Sequence, residues 1–160
     1  MNTTKGIFSH KTDEWLTPVS LFEHWNEVCN FTLDAASTDE NALCEKHYTK
    51  ETDGLSQSWK NERVWCNPPY SEVNKWVDKA LSETRGYDCG STFVVMLLPS
   101  RTDTQWFENI YKRYDISIKF IRGRLRFSGC NSSAPFASIL VVFGFRNFEH
   151  YVFCKKDGDN

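Results

Sequence analysis

Three apolar stretches limit the architectures open to this chain: Val64-Trp65-Cys66, Phe93 to Leu98 and Ser138 to Phe143. None alternates apolar with polar residues, as a strand with one wet face would, so each is expected to be buried on both faces. Between the first two lies Val73 to Glu83, with Val73, Trp76, Val77, Ala80 and Leu81 on one helical face. Pro18 to Cys29 repeats that spacing with Leu21, Phe22, Trp25 and Val28, and Pro18 suits a first helical turn. Strands buried on both faces and alternating with helices imply an α/β layer fold, with a mostly parallel sheet between flanking helices.

Weaker signals fill the remainder. Phe31-Thr32-Leu33 reads as a short strand ending at Asp34, and residues 37–48 as a short helix and strand. Arg85 to Ser91 reads as a loop, and Asp103 to Tyr111 as a helix with Asp103 near its start. Ile116 to Phe127 is expected to form one or two strands, and Tyr151 to Cys154 another. This late run of strands points to antiparallel pairing at one sheet edge. Residues 1–12 read as a flexible arm and 155–160 as a polar tail, leaving a single domain over 13–154.

The formal net charge of −2 gives no global basic field, so any contact with nucleic acid must come from a local patch. This disfavours a tight DNA binder that works by occupancy alone. Six cysteines include no C-x-x-C pair and no accompanying histidine pair, so no zinc site is expected. Nothing resembles a signal peptide or a membrane span. The cysteines are therefore expected to be reduced, as small core hydrophobes in a cytoplasm-like compartment.

Chemistry concentrates at Asn67-Pro68-Pro69-Tyr70, which directly follows a buried strand. A bare proline turn is the plain reading. However, open α/β sheets bind ligands beyond the carboxyl ends of their strands. An amino group on an aromatic ring or an amide is a poor nucleophile because its lone pair is delocalised. Two acceptors aimed at its N–H bonds favour a pyramidal nitrogen and hold it in line with an electrophile. The Asn67 side-chain carbonyl and the Pro68 backbone carbonyl supply such a pair, the prolines stiffen their directions, and Tyr70 offers a ring for stacking. Adenine N6, cytosine N4 and a glutamine amide all present the required planar amine. A base in duplex DNA would have to be flipped out.

A methyl-donor site belongs near the end of an early strand. In Phe31 to Ser37, Asp34 ends the strand and Ala35 and Ala36 let the backbone approach a ligand. Asp34 reads either as an acceptor for a cofactor amine or as a cap of the next turn. Asp53 and Glu51 stand in a second acidic turn, readable as solvated or as contacts to a cofactor's adenine and ribose. Trp15, Thr17 and Pro18 offer an aromatic wall, a hydroxyl and backbone groups.

Seven segments occur in one order: Asp13-Glu14-Trp15-Leu16-Thr17-Pro18, Leu33-Asp34-Ala35-Ala36, Asp53-Gly54-Leu55, Val64 to Tyr70, Leu97 to Asp103, Gly123-Arg124-Leu125-Arg126-Phe127 and Ser133-Ala134-Pro135-Phe136. Together, from about residue 13 to residue 144, they closely resemble the short phage-type Dam-like DNA N6-adenine methyltransferases. The resemblance implies a single-domain, Rossmann-like class I fold, with S-adenosyl-L-methionine as cofactor and adenine N6 in DNA as target. It also implies a phage or prophage gene acting in the bacterial cytoplasm, in a setting of restriction and modification. By matching position it assigns catalysis to Asn67, Pro68, Pro69 and Tyr70. It assigns cofactor binding to Trp15, Thr17, Pro18, Asp34, Ala35, Ala36, Asp53 and Asn67. Only about 33 residues separate Asp34 from Asn67, without the target-recognition domain of larger relatives, so a GATC site is not implied.

Arg122, Arg124 and Arg126 would share one face if their segment is extended, and Arg101 should lie on the same rim as Asn67. These four are candidates for contacting DNA. A charged outer face of an edge strand is the bland alternative for the first three.

Overall fold

The computed structural model describes residues 13–85, 92–113 and 115–144. The arm expected for 1–12, most of the loop at 85–91, the strand at 151–154 and the tail at 155–160 lie outside the described residues.

One mixed sheet of six strands carries the molecule, in the order β2-β1-β3-β4-β6-β5. The strands are β1 (Leu33–Asp34), β2 (Lys46–His47), β3 (Arg63–Cys66), β4 (Phe93–Pro99), β5 (Ile116–Phe120) and β6 (Ser138–Phe143). β2, β1, β3 and β4 are mutually parallel, whereas β6 runs against both β4 and β5. The expected antiparallel pairing is therefore present at that edge. Its source is the inserted β6, because the outermost strand β5 points the same way as β4. The carboxyl ends of β1, β3, β4 and β5 consequently share one rim.

The chain steps from β1 outward to β2, then returns to β3 on the other side of β1. This reversal opens a crevice beyond the ends of β1 and β3, where doubly wound sheets bind ligands. Asp34 closes β1 and Asn67 directly follows β3, so both stand at that crevice.

Every residue of β4 and β6 is buried, as unbroken apolar runs demand. Helix α1 (Val19–Cys29) buries Leu21, Phe22, Trp25 and Cys29, and Phe22 meets the indole of Trp65 edge-on at 5.5 Å. Each such side chain contributes about 1.5–3 kcal/mol of burial free energy. Val28, expected on the apolar face, is 62% exposed. The inward stripe instead closes with Cys29, one helical turn beyond Trp25. Helix α2 (Val73–Glu83) turns Val73, Trp76, Val77, Ala80 and Leu81 inward, and helix α3 (Gln105–Tyr111) packs beside it.

Three local readings are corrected. Residues 37–45 form turns and no helix: Thr38 N–H donates to Asn41 Oδ1, Ala42 N–H donates to the Thr38 carbonyl, and Leu43 N–H is drawn to Asp34. Helix α3 starts at Gln105 rather than at Asp103, because the Thr104 hydroxyl caps it. Beyond Phe120 the chain leaves the sheet and bends at Gly123 (φ 78°), so Arg122, Arg124 and Arg126 do not share a strand face. All three side chains are nevertheless exposed.

Candidate active site at the β1–β3 crevice

A cavity of about 530 Å³ occupies the crevice, within the size range of small-ligand pockets. Its wall brings together Trp15, Thr17, Asp34, Ala35, Ala36, Asp53, Asn67 and Pro69, all singled out in the sequence. Pro18, Pro68 and Tyr70 are not on the wall. Pro18 caps α1, Pro68 is buried, and Tyr70 opens a short 3₁₀ turn, Tyr70–Glu72, leading into α2. Glu51 is also off the wall, exposed and bonded to the Thr49 hydroxyl, which holds its carboxyl below the ordinary range.

The floor is the end of β1. Asp34 is 3% exposed, and its carboxylate accepts N–H bonds from Leu43 at 3.1 Å and Ala36 at 3.4 Å. Burial pushes its carboxyl up to about 6; those two N–H groups and nearby His47 only partly offset this. Asp34 thus caps a turn, one of the two roles left open by sequence, and also lines the cavity. Gly54 presses against the next residue: a Cβ there would lie 2.2 Å from the Ala35 carbonyl oxygen. Asp53, at φ 52°, closes its own turn by accepting from Leu55 N–H.

The Asn67 wall is set by residues 13–17, which cross it as a strap. Asn67 Nδ2 donates to the Trp15 carbonyl oxygen and, at 3.0 Å, to the Thr17 hydroxyl. Asp13 accepts from Ser71 N–H and Ser71 Oγ–H, fixing the turn after the prolines. The strap is held in turn by Ser128, whose N–H donates to the Leu16 carbonyl and whose hydroxyl donates to the Thr17 carbonyl. Asn67 Oδ1 remains buried without a hydrogen-bond partner among the described residues. So do Ser37 Oγ and Trp76 Nε1, both of residues on the same wall. Buried polar atoms without partners are rare, and a water, an ion or a ligand can complete their bonding.

Tyr70 lies behind this wall. Its ring packs against Phe136 at 5.5 Å and Phe127 at 6.4 Å, and Trp15 closes the cluster at 5.1 Å from Phe127 and 5.2 Å from Phe136. Burial pushes its hydroxyl far above the usual phenol range, and among the described residues that hydroxyl has no partner.

Charge is segregated. The cavity wall carries Asp13, Glu14, Asp34, Asp53 and Glu72 against the lone cation Lys50 among the described residues. On the same rim, beyond β4 and β5, Arg101, Arg122, Arg124 and Arg126 are exposed and form no ion pair among the described residues. The structure thus puts all four arginines at the end of the sheet that carries Asn67, although not on its cavity wall.

Sequence reasoning missed Asp13, Ser37 and Trp76. Trp76 sits at apolar helical spacing, which reads as core. Asp13 acts across 58 residues, a distance no local pattern reports. The described residues contain no cluster able to hold a metal ion and no helix long and apolar enough to cross a membrane. Cys29, Cys44, Cys66 and Cys130 are free thiols; Cys89 and Cys154 lie outside the described residues.

Residues 4–149 match the family described as DNA N-6-adenine-methyltransferase (Dam). The DNA N-6-adenine-methyltransferase of Escherichia phage T1 is 38% identical over 97 residues, which cover 59% of this chain and 39% of that protein. The protein of the same name from Haemophilus phage HP1 (strain HP1c1) is 30% identical over 110 residues, 68% of this chain and 62% of that one. The matched stretches thus span between about two fifths and three fifths of these relatives' lengths.

Proposed function

We propose, since this chain belongs to the DNA N-6-adenine-methyltransferase (Dam) family, that it transfers a methyl group from S-adenosyl-L-methionine to the N6 amino group of adenine in DNA. The observation that carries this reading is Asn67 Oδ1: a buried acceptor without a partner among the described residues, on a residue lining an acidic cavity at the sheet's switch point. The fold is read as a single-domain, Rossmann-like class I methyltransferase, and the site of action as DNA in the bacterial cytoplasm.

The residues on the wall suit the cofactor. Its sulfonium and ammonium are cationic, matching five carboxylates around one lysine. Asp34 would accept from the ammonium, Ala35 and Ala36 leave room for close backbone approach, and Ser37 Oγ and Trp76 Nε1 offer hydrogen bonds not used among the described residues. Asp53 and Trp15 would line the nucleoside end. The bound cofactor supplies an electrophilic methyl group.

The chain's own residues prepare the nucleophile. Asn67 Oδ1 and the Pro68 carbonyl accept the two N–H bonds of the amine and keep its lone pair in line with the methyl carbon. The lone pair would form the new N–C bond as the methyl group's bond to sulfur breaks, its electron pair staying on sulfur as a neutral thioether, and the surplus proton would leave to water. No strong base is needed, and among the described residues no histidine lines the cavity. A flipped adenine would stack on Tyr70 after displacing Phe136, which is only half-buried. Arg101, Arg122, Arg124 and Arg126 would hold the DNA phosphates along the rim.

The test is direct. Purified protein is incubated with methyl-labelled cofactor and DNA, and the DNA is digested to nucleosides. Label in N6-methyldeoxyadenosine supports the reading. Label in N4-methyldeoxycytidine, or none in DNA, overturns it.

A further inference from the structure

We propose that Thr17 is a positioning residue: its hydroxyl, together with the Trp15 carbonyl, locks the Asn67 amide with its oxygen facing the target amine. This rests on the function proposed above and specifies how the acceptor is aimed.

An asparagine amide has two orientations of nearly equal shape, related by a 180° flip, and only one presents an acceptor. Here the choice is forced from two sides. The Trp15 carbonyl can only accept, so the atom bonded to it must be Nδ2. The Thr17 oxygen accepts from Asn67 Nδ2 at 3.0 Å and from Trp65 Nε1 at 3.4 Å. Both of its lone pairs are then taken by N–H donors, one of them on a side chain completely buried in the core. The flipped amide would set Oδ1 against the Trp15 carbonyl, oxygen to oxygen. Asn67 Oδ1 is thereby left without a partner among the described residues.

The same geometry says why position 67 carries an asparagine. A carboxylate is the stronger acceptor and would serve the amine at least as well. It would also bring a negative oxygen against the Trp15 carbonyl, with no proton to share. The Asn67→Asp variant would therefore work only with the new carboxyl protonated, donating O–H to Trp15 and accepting with its other oxygen.

Thr17→Val keeps the side-chain shape and removes the hydroxyl; Thr17→Ser keeps the hydroxyl. With ¹⁵N-labelled protein, the Asn67 side-chain NH₂ signals are identified by their loss in Asn67→Asp. They should be downfield and exchange-protected in the parent and in Thr17→Ser, but not in Thr17→Val. In turnover, Thr17→Val should lower kcat by about tenfold to a hundredfold with KM for the cofactor within about twofold, and Thr17→Ser should restore it. Asn67→Asp should show a pH profile displaced to acid. Unprotected Asn67 NH₂ protons in the parent, or a Thr17→Val effect confined to the KM of the cofactor, overturns the proposal. If Thr17→Val does not fold, the Asn67→Asp profile decides: an acid displacement supports the lock, and a profile matching the parent ends it. Absence of N6-methyladenine with the parent overturns the proposed function instead, and the NMR comparison still decides the lock.

Discussion

Replacing Asp34 by asparagine separates its turn-capping role from the cofactor-binding role proposed for it. Its carboxyl is raised from 3.8 to about 6 mainly by burial, so holding it ionised costs about 3 kcal/mol. The sign follows from proton binding. Between about pH 4 and pH 6 the folded protein keeps a proton that the unfolded chain has released, so the parent loses stability as pH rises through that window. Asp34→Asn lacks this loss. It also leaves either Leu43 N–H or Ala36 N–H without its oxygen, which costs about 1–3 kcal/mol. The opposing effects keep the ligand-free variant within about 2 kcal/mol of the parent at pH 8. Cofactor binding should behave differently. Losing a charge-assisted hydrogen bond to an ammonium costs about 1.5–3 kcal/mol, a roughly 10- to 100-fold weaker Kd. Titration calorimetry and thermal melts at pH 5 and pH 8 test both halves. The parent's affinity should fall as pH drops through about 6, whereas the variant's should be flat. An unaltered Kd would refute the reasoning, and would do so most clearly if Tm collapsed at the same time.

Four further perturbations are expected to read as follows. Gly54→Ala forces a Cβ to 2.2 Å from the Ala35 carbonyl oxygen; separating the two segments should lower Tm by about 4–8 °C in a thermal melt. Trp76→Phe keeps the stacked contact with Trp59 but removes an N–H without a partner among the described residues, so free-protein Tm should hold while calorimetry shows weaker cofactor binding. Arg124→Glu with Arg126→Glu should weaken DNA binding and flatten its log–log salt slope by roughly 2, and an unchanged slope would make the arginines structural. Tyr70→Phe deletes a buried hydroxyl without a partner among the described residues, so melts and turnover should match the parent, whereas Tyr70→Ala should lose turnover strongly.

Elements whose signal is local and redundant were legible in the sequence. Helix α2 keeps the predicted bounds Val73–Glu83, because five apolar residues at helical spacing leave one solution. β4 and β6 follow from unbroken apolar runs. That Asp34 and Asn67 would line one crevice was legible because each stands at the carboxyl end of a recognisable strand, and a parallel sheet gathers such ends on one rim. The errors arise where a single side chain or dihedral overrides the pattern. Leu43 N–H is captured by Asp34, nine residues away, so the predicted helix near it gives way to turns. β5 stops at Phe120, and Gly123 at φ 78° bends the segment that alternation would have continued to Phe127. The strap was seen as a cofactor segment, but its hold on Asn67 uses a main-chain carbonyl, whose position carries no side-chain signature.

The net charge of −2 concealed two patches of opposite sign, an acidic cavity and four exposed arginines. Under the proposed function, a cationic cofactor and a polyanionic substrate would impose opposite demands on one rim. Carboxylates near DNA would repel phosphate, and arginines in the cavity would repel the sulfonium. Sheet order meets both demands at once. β1 and β3 end at the acidic crevice, while β4 and β5, separated by the reversed β6, end at the arginines. The Debye length is about 8 Å at physiological salt, so exposed charges of opposite sign a few strands apart act nearly independently. Asn67 stands between these zones, its amide oriented by the strap and its oxygen left without a partner among the described residues.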